Sequence, residues 1–271
     1  MNKMFKVILV RHGKSIWNHD SKFTGWTNIP LTKDGKKEAV KIANIMKNNN
    51  IFPNVYFSSV LDRCVDTANI IKSNINIHST VYTSWRLNEK HYGTLEGVPR
   101  HHIRKLYGIK FTTMMRNNFY MKPPVLKDLE SCKKYPIFQN CYYNKIKYGE
   151  SKENVLNRLL PYFENDILYS FKENKLPCVV THKHCLRVLM KNYLQLSDED
   201  FEEYTTPDKS IIVMYFDMNL NYKDELDAMR QSLTKKMNTS ENLSRLNLLQ
   251  KKSPSTLTED EKAFLRGMKK L

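Results

Sequence analysis

The tripeptide Arg11-His12-Gly13 contains the residue types that phosphoryl transfer to nitrogen requires. A neutral imidazole can attack phosphorus, and a fixed cation beside it can hold the negative charge of the phosphoryl oxygens. Gly13 would let the backbone approach a phosphate closely, and Ser15 and Asn18 add neutral hydrogen-bonding groups on the loop that follows. The sequence therefore offers His12 as a candidate nucleophile.

Thr24 and Gly25, a little further along the chain, again combine a neutral hydrogen-bonding side chain with a glycine that lets the backbone approach a phosphate. Ser15, Asn18 and Thr24 are also ordinary turn and cap residues, so by themselves they do not distinguish a site from a loop. A single Arg-His-Gly tripeptide is likewise a weak motif. Whether these residues form a site depends on the strands and helices that position them.

The residues before His12 predict a buried strand. Residues 5–10 are rich in Val, Ile and Leu, as is typical of a strand that is covered on both faces. The tripeptide follows at its carboxyl end, where open α/β sheets bind their ligands. A helix over 36–46, a strand over 55–57 and a helix over about 60–72 come next, and this alternation predicts an α/β fold.

The same alternation returns in the second half of the chain. We predict a helix near 152–173, a strand at 178–180, a helix over about 186–194, a capped helix after Ser197, and a last strand at 211–216.

Two segments differ from this alternation. Residues 98–150 are aromatic, basic and interrupted by prolines, so we expect an insertion that covers the sheet edge and supplies binding residues. Residues 222–271 are charged, and we expect a partly helical or disordered tail, with partner binding as the alternative.

Composition narrows the function classes. The net charge of +16 would suit a nucleic-acid partner, but Lys is spread along the whole chain and no binding motif appears, so a small polyanion is the better expectation. The apolar runs are too short for a membrane span or a signal peptide, which predicts a cytoplasmic protein. The five cysteines have neither disulfide-framework nor metal-site spacing, so we expect free thiols and no metal.

Several longer motifs carry a family resemblance. Over about residues 5–216 the chain resembles the cofactor-dependent phosphoglycerate mutases of the histidine phosphatase superfamily, in the runs Leu9–Asn18, Phe23–Trp26, Pro30–Gly35, Ser58–Arg63, Trp85–Gly93 and Tyr148–Ser151. The resemblance implies an α/β three-layer sandwich, with a mostly parallel central sheet flanked by helices. It also implies a catalytic domain over 1–221, with 98–150 as a substrate cap.

The resemblance assigns roles residue by residue. His12 would carry the phosphoryl group, Arg11, Arg63 and His182 would hold its oxygens, and Glu89 would be the general acid and base. An isolated Glu in so basic a chain could instead simply pair with a cation such as Lys90. The candidate substrate-binding set is Ser15, Asn18, Thr24, Gly25, Tyr92, Arg100, Arg116 and Lys183.

The chain departs from the family motifs at three places. His182-Lys-His-Cys-Leu-Arg187 stands where the family has His-Gly-Asn-Ser-Leu-Arg, Arg116-Asn117 stands where it has two arginines, and Arg100 replaces a usual Lys. Losing a charged contact to an anion costs about 1.5–3 kcal/mol. The departures at Lys183, His184 and Asn117 therefore leave the balance of activities open.

Three functions remain as hypotheses. The first is a mutase that interconverts 3-phosphoglycerate and 2-phosphoglycerate, primed by 2,3-bisphosphoglycerate and needing no metal. The second is a phosphomonoester or bisphosphoglycerate phosphatase that uses the same phosphohistidine. The third is a catalytically degenerate, basic interaction protein. The resemblance implies a small phosphorylated carboxylate as substrate, and a homodimer or homotetramer.

Overall fold

A computed structural model describes residues 4–123, 149–206 and 211–223. Cys132, Cys141, residues 124–148 of the predicted cap and the tail beyond Lys223 lie outside the described residues. The strands are β1 (Phe5–Arg11), β2 (Val55–Ser58), β3 (Thr80–Thr83), β4 (Pro177–Thr181), β5 (Ile211–Phe216) and β6 (Tyr222–Lys223). The helices are α1 (Ile16–His19), α2 (Lys33–Asn48), α3 (Asp62–Ile75), α4 (Arg100–Asn117), α5 (Lys152–Tyr162), α6 (Lys183–Tyr193) and α7 (Asp198–Glu203).

The sheet is mixed and mostly parallel, with the strand order β3-β2-β4-β1-β5-β6. Strand β4 pairs in parallel with β1, placing Arg11 opposite Thr181, and in parallel with β2, placing Ser58 opposite Val180. The carboxyl ends of β1, β2 and β4 therefore meet at one edge of the sheet. This confirms the α/β fold with a mostly parallel sheet flanked by helices.

The chain divides into two compact units. Residues 7–212 form the unit that contains every predicted site residue. The described residues of the other unit are 4–6 and 213–223. In its described part β6 pairs antiparallel with β5, with Phe216 opposite Tyr222.

Strand β1 and helix α2 agree with the hydrophobic pattern of the sequence. Val7 to Val10 are all fully buried, as expected for a central parallel strand. Helix α2 buries the predicted apolar face, namely Ala39, Ile42, Ala43 and Met46. Its N-cap is Thr32, whose hydroxyl accepts from the Gly35 N–H at 2.9 Å.

The predicted helix over 152–173 is wrong as a single regular helix. Helix α5 ends at Tyr162, and a π turn over Phe163–Ile167 and a 3-10 segment over Leu168–Glu173 continue the chain. Pro161 explains the change, because its ring removes a backbone donor and disfavours regular α-helix around it.

Three other elements differ from the expectations. Helix α6 begins at Lys183 rather than near 186, because extended His182 is itself the N-cap residue. The insertion contains helix α4, which Gly108 interrupts with a φ of 82°. Strand β3 was not predicted at all, and it is a short edge strand with mostly exposed side chains.

The loop after β1 depends on a close crossing of two backbones. A Cβ atom added to Gly13 would lie 2.3 Å from Gly35 O, and one added to Gly35 would lie 2.2 Å from Lys14 O. Glycine is therefore needed at position 13 for chain packing, quite apart from any approach to a phosphate.

Candidate active site

Two histidines meet where two neighbouring strands end. His12 follows β1 and His182 follows β4, and the His12 N–H donates to the carbonyl oxygen of Thr181 at 3.0 Å. Their ring centroids lie 4.9 Å apart with an angle of 61° between the planes. The parallel pairing of β1 with β4 thus brings together residues that are far apart in the sequence.

The tautomer of His12 suits a nucleophile. Its Nδ1 lies 2.7 Å from the carbonyl oxygen of Gly13, so Nδ1 must carry the hydrogen and donate. The lone pair is then on Nε2. Burial, and next the positive charges of Arg63 and Arg11, hold the pKa of His12 well below its ordinary value, so the ring is neutral at neutral pH.

The second histidine is oriented from behind by Ser59. The Ser59 hydroxyl accepts from the Leu61 N–H at 3.3 Å, and its oxygen lies 2.9 Å from His182 Nε2. This contact orients the imidazole ring of His182. Cys64 also contacts the ring, with Sγ 3.3 Å from Nε2. Burial lowers the pKa of His182 well below its ordinary value, as do the nearby cations.

Arg63 is a buried cation with part of its guanidinium uncommitted. It is 1% exposed, and it donates to the carbonyl oxygens of Thr27 at 2.9 Å and Gly25 at 2.7 Å. Its Nε is buried and has no hydrogen-bond partner among the described residues. A buried donor of this kind suits an anionic ligand. Arg63 and Arg11 line one cavity, which also contains His12.

A buried carboxylate that the sequence analysis missed holds the 24–27 loop. Glu96 accepts from the N–H groups of Trp26, Thr27 and Tyr92, each at 3.0 Å, and from the Thr27 hydroxyl at 2.8 Å. Gly25 has a φ of 54°, and a Cβ there would lie 1.8 Å from Glu96 Oε1. The loop that holds Arg63 is therefore itself fixed by Glu96.

Glu89 lies in the same cavity and is not paired with Lys90 as an ion pair. Its Oε1 accepts from the Lys90 backbone N–H at 2.7 Å, while the Lys90 amine donates to carbonyl oxygens elsewhere. Burial raises the pKa of Glu89, although Arg63 and Arg11 oppose that rise. A buried carboxyl with a raised pKa beside a candidate nucleophile has the properties of a general acid.

The loop that carries Glu89 is anchored by a second buried pair. Arg158 on α5 donates to Glu150 at 2.7 Å and 3.0 Å, and also to the carbonyl oxygens of Arg86, Asn88 and Glu89 at 2.6–2.9 Å. Arg158 was not predicted, because its contacts depend on the fold. The Trp26 indole N–H also donates to Glu89 O, at 2.6 Å.

The remaining predicted residues lie mostly around one cavity. It is lined by Arg11, His12, Asn18, Thr24, Gly25, Arg63, Glu89, Tyr92, Arg100, Arg116, Lys183 and His184, among others. The wall of the cavity thus contains His12, Arg63 and further cations. Tyr92 Oη lies 2.7 Å from His184 Nε2, and the Arg100 Nε–H donates to Ser21 O at 2.9 Å.

Three residues of interest are not among those that line this cavity. His182 is 0% exposed and meets the site through its ring contact with His12. Ser15 is the N-cap of α1, where it forms a capping box with Asn18. Asn117 accepts from Arg187 Nη1 at 3.3 Å, so its amide is engaged with α6. These contacts give Ser15 and Asn117 structural roles beside the site.

Other kinds of site find no support in the described part of the chain. Cys64, Cys178 and Cys185 are buried and free. Within residues 4–123, 149–206 and 211–223, no group of three His, Cys, Asp or Glu could hold a metal ion. The helices in these ranges are all too short or too polar to cross a membrane.

Comparison with known proteins gives consistent relatives. Residues 7–222 match the model of the histidine phosphatase superfamily, branch 1. The 2,3-bisphosphoglycerate-dependent phosphoglycerate mutase of Buchnera aphidicola subsp. Cinara cedri is 40% identical over 73% of this chain and 87% of its own length. The enzyme of that name from Hydrogenobaculum sp. is 33% identical over 82% and 91%.

Solved structures share the fold at lower identity. A mycobacterial glucosyl-3-phosphoglycerate phosphatase matches with a TM-score of 0.62 at 19% identity, covering 81% of this chain and 96% of its own. Bacillus stearothermophilus YhfR matches with a TM-score of 0.61 at 20% identity, covering 81% and 94%. With two histidines at neighbouring strand ends and relatives of this kind, the chain belongs to the histidine phosphatase superfamily, branch 1.

Proposed function

We propose that this protein is a phosphoglycerate mutase that interconverts 3-phosphoglycerate and 2-phosphoglycerate through a phosphohistidine on His12. The observation that carries the proposal is the neutral His12 ring, with its Nε2 lone pair available, in one cavity with Glu89 and several cations. The mutases named above, at 33–40% identity over most of the chain, support the substrate.

His12 Nε2 attacks the phosphorus of the bound ester, and the bond from phosphorus to the ester oxygen breaks. The phosphoryl oxygens carry negative charge in the transition state, which Arg11 and Arg63 in the cavity wall and His182 beside His12 stabilise. The Arg63 Nε, which has no hydrogen-bond partner among the described residues, is a donor that can gain one in this step. No proton has to leave His12 before the attack.

Glu89 handles the proton of the departing oxygen. An alkoxide is a poor leaving group, so the oxygen takes a proton from the Glu89 carboxyl as the bond breaks. In the reverse half-reaction, the Glu89 carboxylate removes a proton from the attacking hydroxyl. The raised pKa of Glu89 favours its protonated form closer to neutral pH than an ordinary carboxyl would allow.

The other cations suit the rest of the substrate. Arg100, Arg116 and Lys183 line the cavity with Tyr92, and together they fit a carboxylate or a second phosphate. Such a donor set also fits 2,3-bisphosphoglycerate, which would supply the first phosphoryl group to His12. A homodimer or homotetramer and a cytoplasmic location remain predictions.

A phosphatase is the second candidate, and residues of the site favour it. Lys183 and His184 stand where the mutase motif has Gly and Asn, and both line the cavity. If water reaches the phosphohistidine before the second hydroxyl does, phosphate is released instead. The solved mycobacterial relative of the same fold is named a phosphatase.

One reaction mixture separates the two activities. Purified protein is given 3-phosphoglycerate with a trace of 2,3-bisphosphoglycerate, and 2-phosphoglycerate and free phosphate are followed together. We expect rapid formation of 2-phosphoglycerate with little phosphate. Phosphate as the sole product would reject the mutase and favour the phosphatase.

The nucleophile is tested by His12→Ala. We expect the wild type to form an acid-labile phosphoenzyme and His12→Ala to form none, with a fall in turnover of at least about a thousandfold. His19→Ala, at an exposed histidine on α1, is the matched control. Wild-type turnover by His12→Ala would reject the phosphohistidine mechanism of both enzymatic functions, and a wild type that shows no turnover at all would leave the interaction protein.

A further inference from the structure

Two buried lysines hold the residues at the end of α4. Lys90 donates from its amine to the carbonyl oxygens of Met115 and Met121, both at 3.1 Å. Lys152, the first residue of α5, donates to the carbonyl oxygen of Asn118 at 3.0 Å. Both lysines are 0% exposed.

An arginine reaches the same segment from α6. Arg187 donates from Nη1 to the Asn117 side chain at 3.3 Å, and from Nη2 to the carbonyl oxygens of Phe201 and Glu202. The Glu202 carboxylate in turn accepts from the Asn118 amide at 2.8 Å. Residues 115–118 are therefore held from three directions.

The partners of these basic groups are unusual. Among the described residues, no carboxylate lies within 4.0 Å of the side-chain nitrogens of Lys90, Lys152 or Arg187. Their acceptors are carbonyl and amide oxygens instead. The carbonyl groups at a helix C-terminus lack intrahelical partners and carry partial negative charge, so they suit basic donors.

Stability alone gives a weak reason for this arrangement. Burying an amine costs free energy, and apolar side chains of similar volume commonly serve a core at least as well. Lys152 lies 5.4 Å from the centroid of the Phe201 ring and Lys90 lies 5.5 Å from that of Tyr92, so apolar surface is close at hand. The role of these basic groups therefore depends on the segment that they hold.

The segment they hold contains Arg116. The neighbours of Arg116 on both sides are fixed, through Met115 O on one side and through Asn117 and Asn118 on the other. Arg116 itself is half-buried and lines the cavity that contains His12. A guanidinium can bind a carboxylate in a bidentate way only when its backbone is placed correctly.

We propose that Lys152 is a positioning residue for substrate recognition: with Lys90 and Arg187, it fixes the end of α4 so that Arg116 meets the second anionic group of a phosphorylated carboxylate. The inference rests on the proposed function for the class of substrate. Lys152 does not touch the substrate; it acts through Arg116.

The test compares two probes that differ by one anionic group. Affinities for 3-phosphoglycerate and for inorganic phosphate are measured by calorimetry on unprimed protein. We use Lys152→Met, which keeps the length and the apolar stem but removes the amine. The matched control is Lys191→Met, since Lys191 is a nearby lysine that donates to Leu196 O at 2.8 Å and pairs with Asp198.

We expect Lys152→Met to bind 3-phosphoglycerate about tenfold more weakly while its phosphate affinity changes less than about twofold, as for loss of one charged contact. Lys191→Met should bind both probes like the wild type. A purely structural role for Lys152 would weaken both probes equally, and that result would overturn the proposal. Unchanged binding of 3-phosphoglycerate would overturn it too.

A second variant and the wild-type affinities test the proposal even if Lys152→Met does not fold. Should Lys152→Met fail to fold, Lys90→Met tests the same segment from its other side and should give the same selective loss. If the wild type binds 3-phosphoglycerate no more tightly than phosphate, the positioning proposal fails. The phosphohistidine experiment above is independent of that outcome, so failure of the proposed function is recognised separately.

Discussion

His12 can act as a nucleophile only while its ring is uncharged, and its surroundings favour that form. The Gly13 carbonyl fixes the hydrogen on Nδ1, and burial with two arginines keeps the pKa low. The same arginines that stabilise a phosphoryl group thus also prepare the nucleophile. Activity should therefore not be lost through protonation of His12 as the pH falls from 7 towards 6.

The proposed role of Glu89 in proton transfer predicts a large loss of activity when its carboxyl is replaced. Glu89→Gln keeps the shape of the side chain but cannot exchange a proton, so kcat should fall about 10²- to 10⁴-fold. Formation of the phosphoenzyme from an ester whose leaving group needs no proton should fall much less. Steady-state kinetics with 3-phosphoglycerate and burst measurements with p-nitrophenyl phosphate check this.

The control for this prediction is Glu199→Gln, at an exposed position in the first turn of α7. We expect it to retain wild-type kinetics. Wild-type kcat in Glu89→Gln would show that the proton passes through another group.

The two histidines, Arg63 and Glu89 could be predicted from sequence because each lies in a recognisable motif. Glu96 and Arg158 could not. Glu96 binds the N–H groups of residues 69 and 70 positions away, and Arg158 contacts carbonyl oxygens 69 to 72 positions away. Such contacts exist only once the fold has formed, and no local spacing marks them.

The loop that carries Glu89 is held in place by the buried ion pair of Arg158 and Glu150. We predict that Arg158→Met lowers the free energy of unfolding by about 3–5 kcal/mol, because it leaves the Glu150 carboxylate buried without its partner. Urea denaturation measures this change. Activity should fall as well, since three carbonyl groups of the loop lose a donor.

Lys175→Met is the comparison, because Lys175 pairs with Glu173 near the surface. Exposed pairs contribute at most about 1 kcal/mol, so this variant should be nearly as stable as the wild type. Equal losses in the two variants would contradict a special role for the buried pair.

The elements that sequence predicted best have strong internal patterns. Strand β1 is a continuous apolar run, and α2 keeps helical spacing from its Thr32 cap. Helix α4 buries only Ile103, Thr112 and Met115, so the hydrophobic pattern there is weak. Strand β3 is equally hard to predict, because an exposed edge strand need not alternate.

Burial of basic groups makes the free energy of unfolding of this protein depend on pH. Burial, and next the positive charges of Lys90 and Arg187, lower the pKa of Lys152 to about 5. In the unfolded chain the same amine stays protonated up to its ordinary pKa near 10.5. Between those values the unfolded state holds a proton that the folded state lacks, so raising the pH favours folding.

Lys152→Met should remove this contribution. Between pH 6 and 8, we expect the free energy of unfolding of the wild type to rise with pH more steeply than that of the variant, by up to about 1.4 kcal/mol per unit. Urea denaturation at several pH values measures both slopes. The exposed Lys172→Met should keep the wild-type slope, and parallel lines for wild type and Lys152→Met would contradict the prediction.

The crossing of Gly13 and Gly35 restricts how this protein can evolve. Each of the two positions is closed to any side chain by the backbone of the other segment. A substitution of either glycine destabilises the protein unless the start of α2 has already moved away. The nucleophile's loop and a helix that takes no part in the chemistry must therefore diverge together.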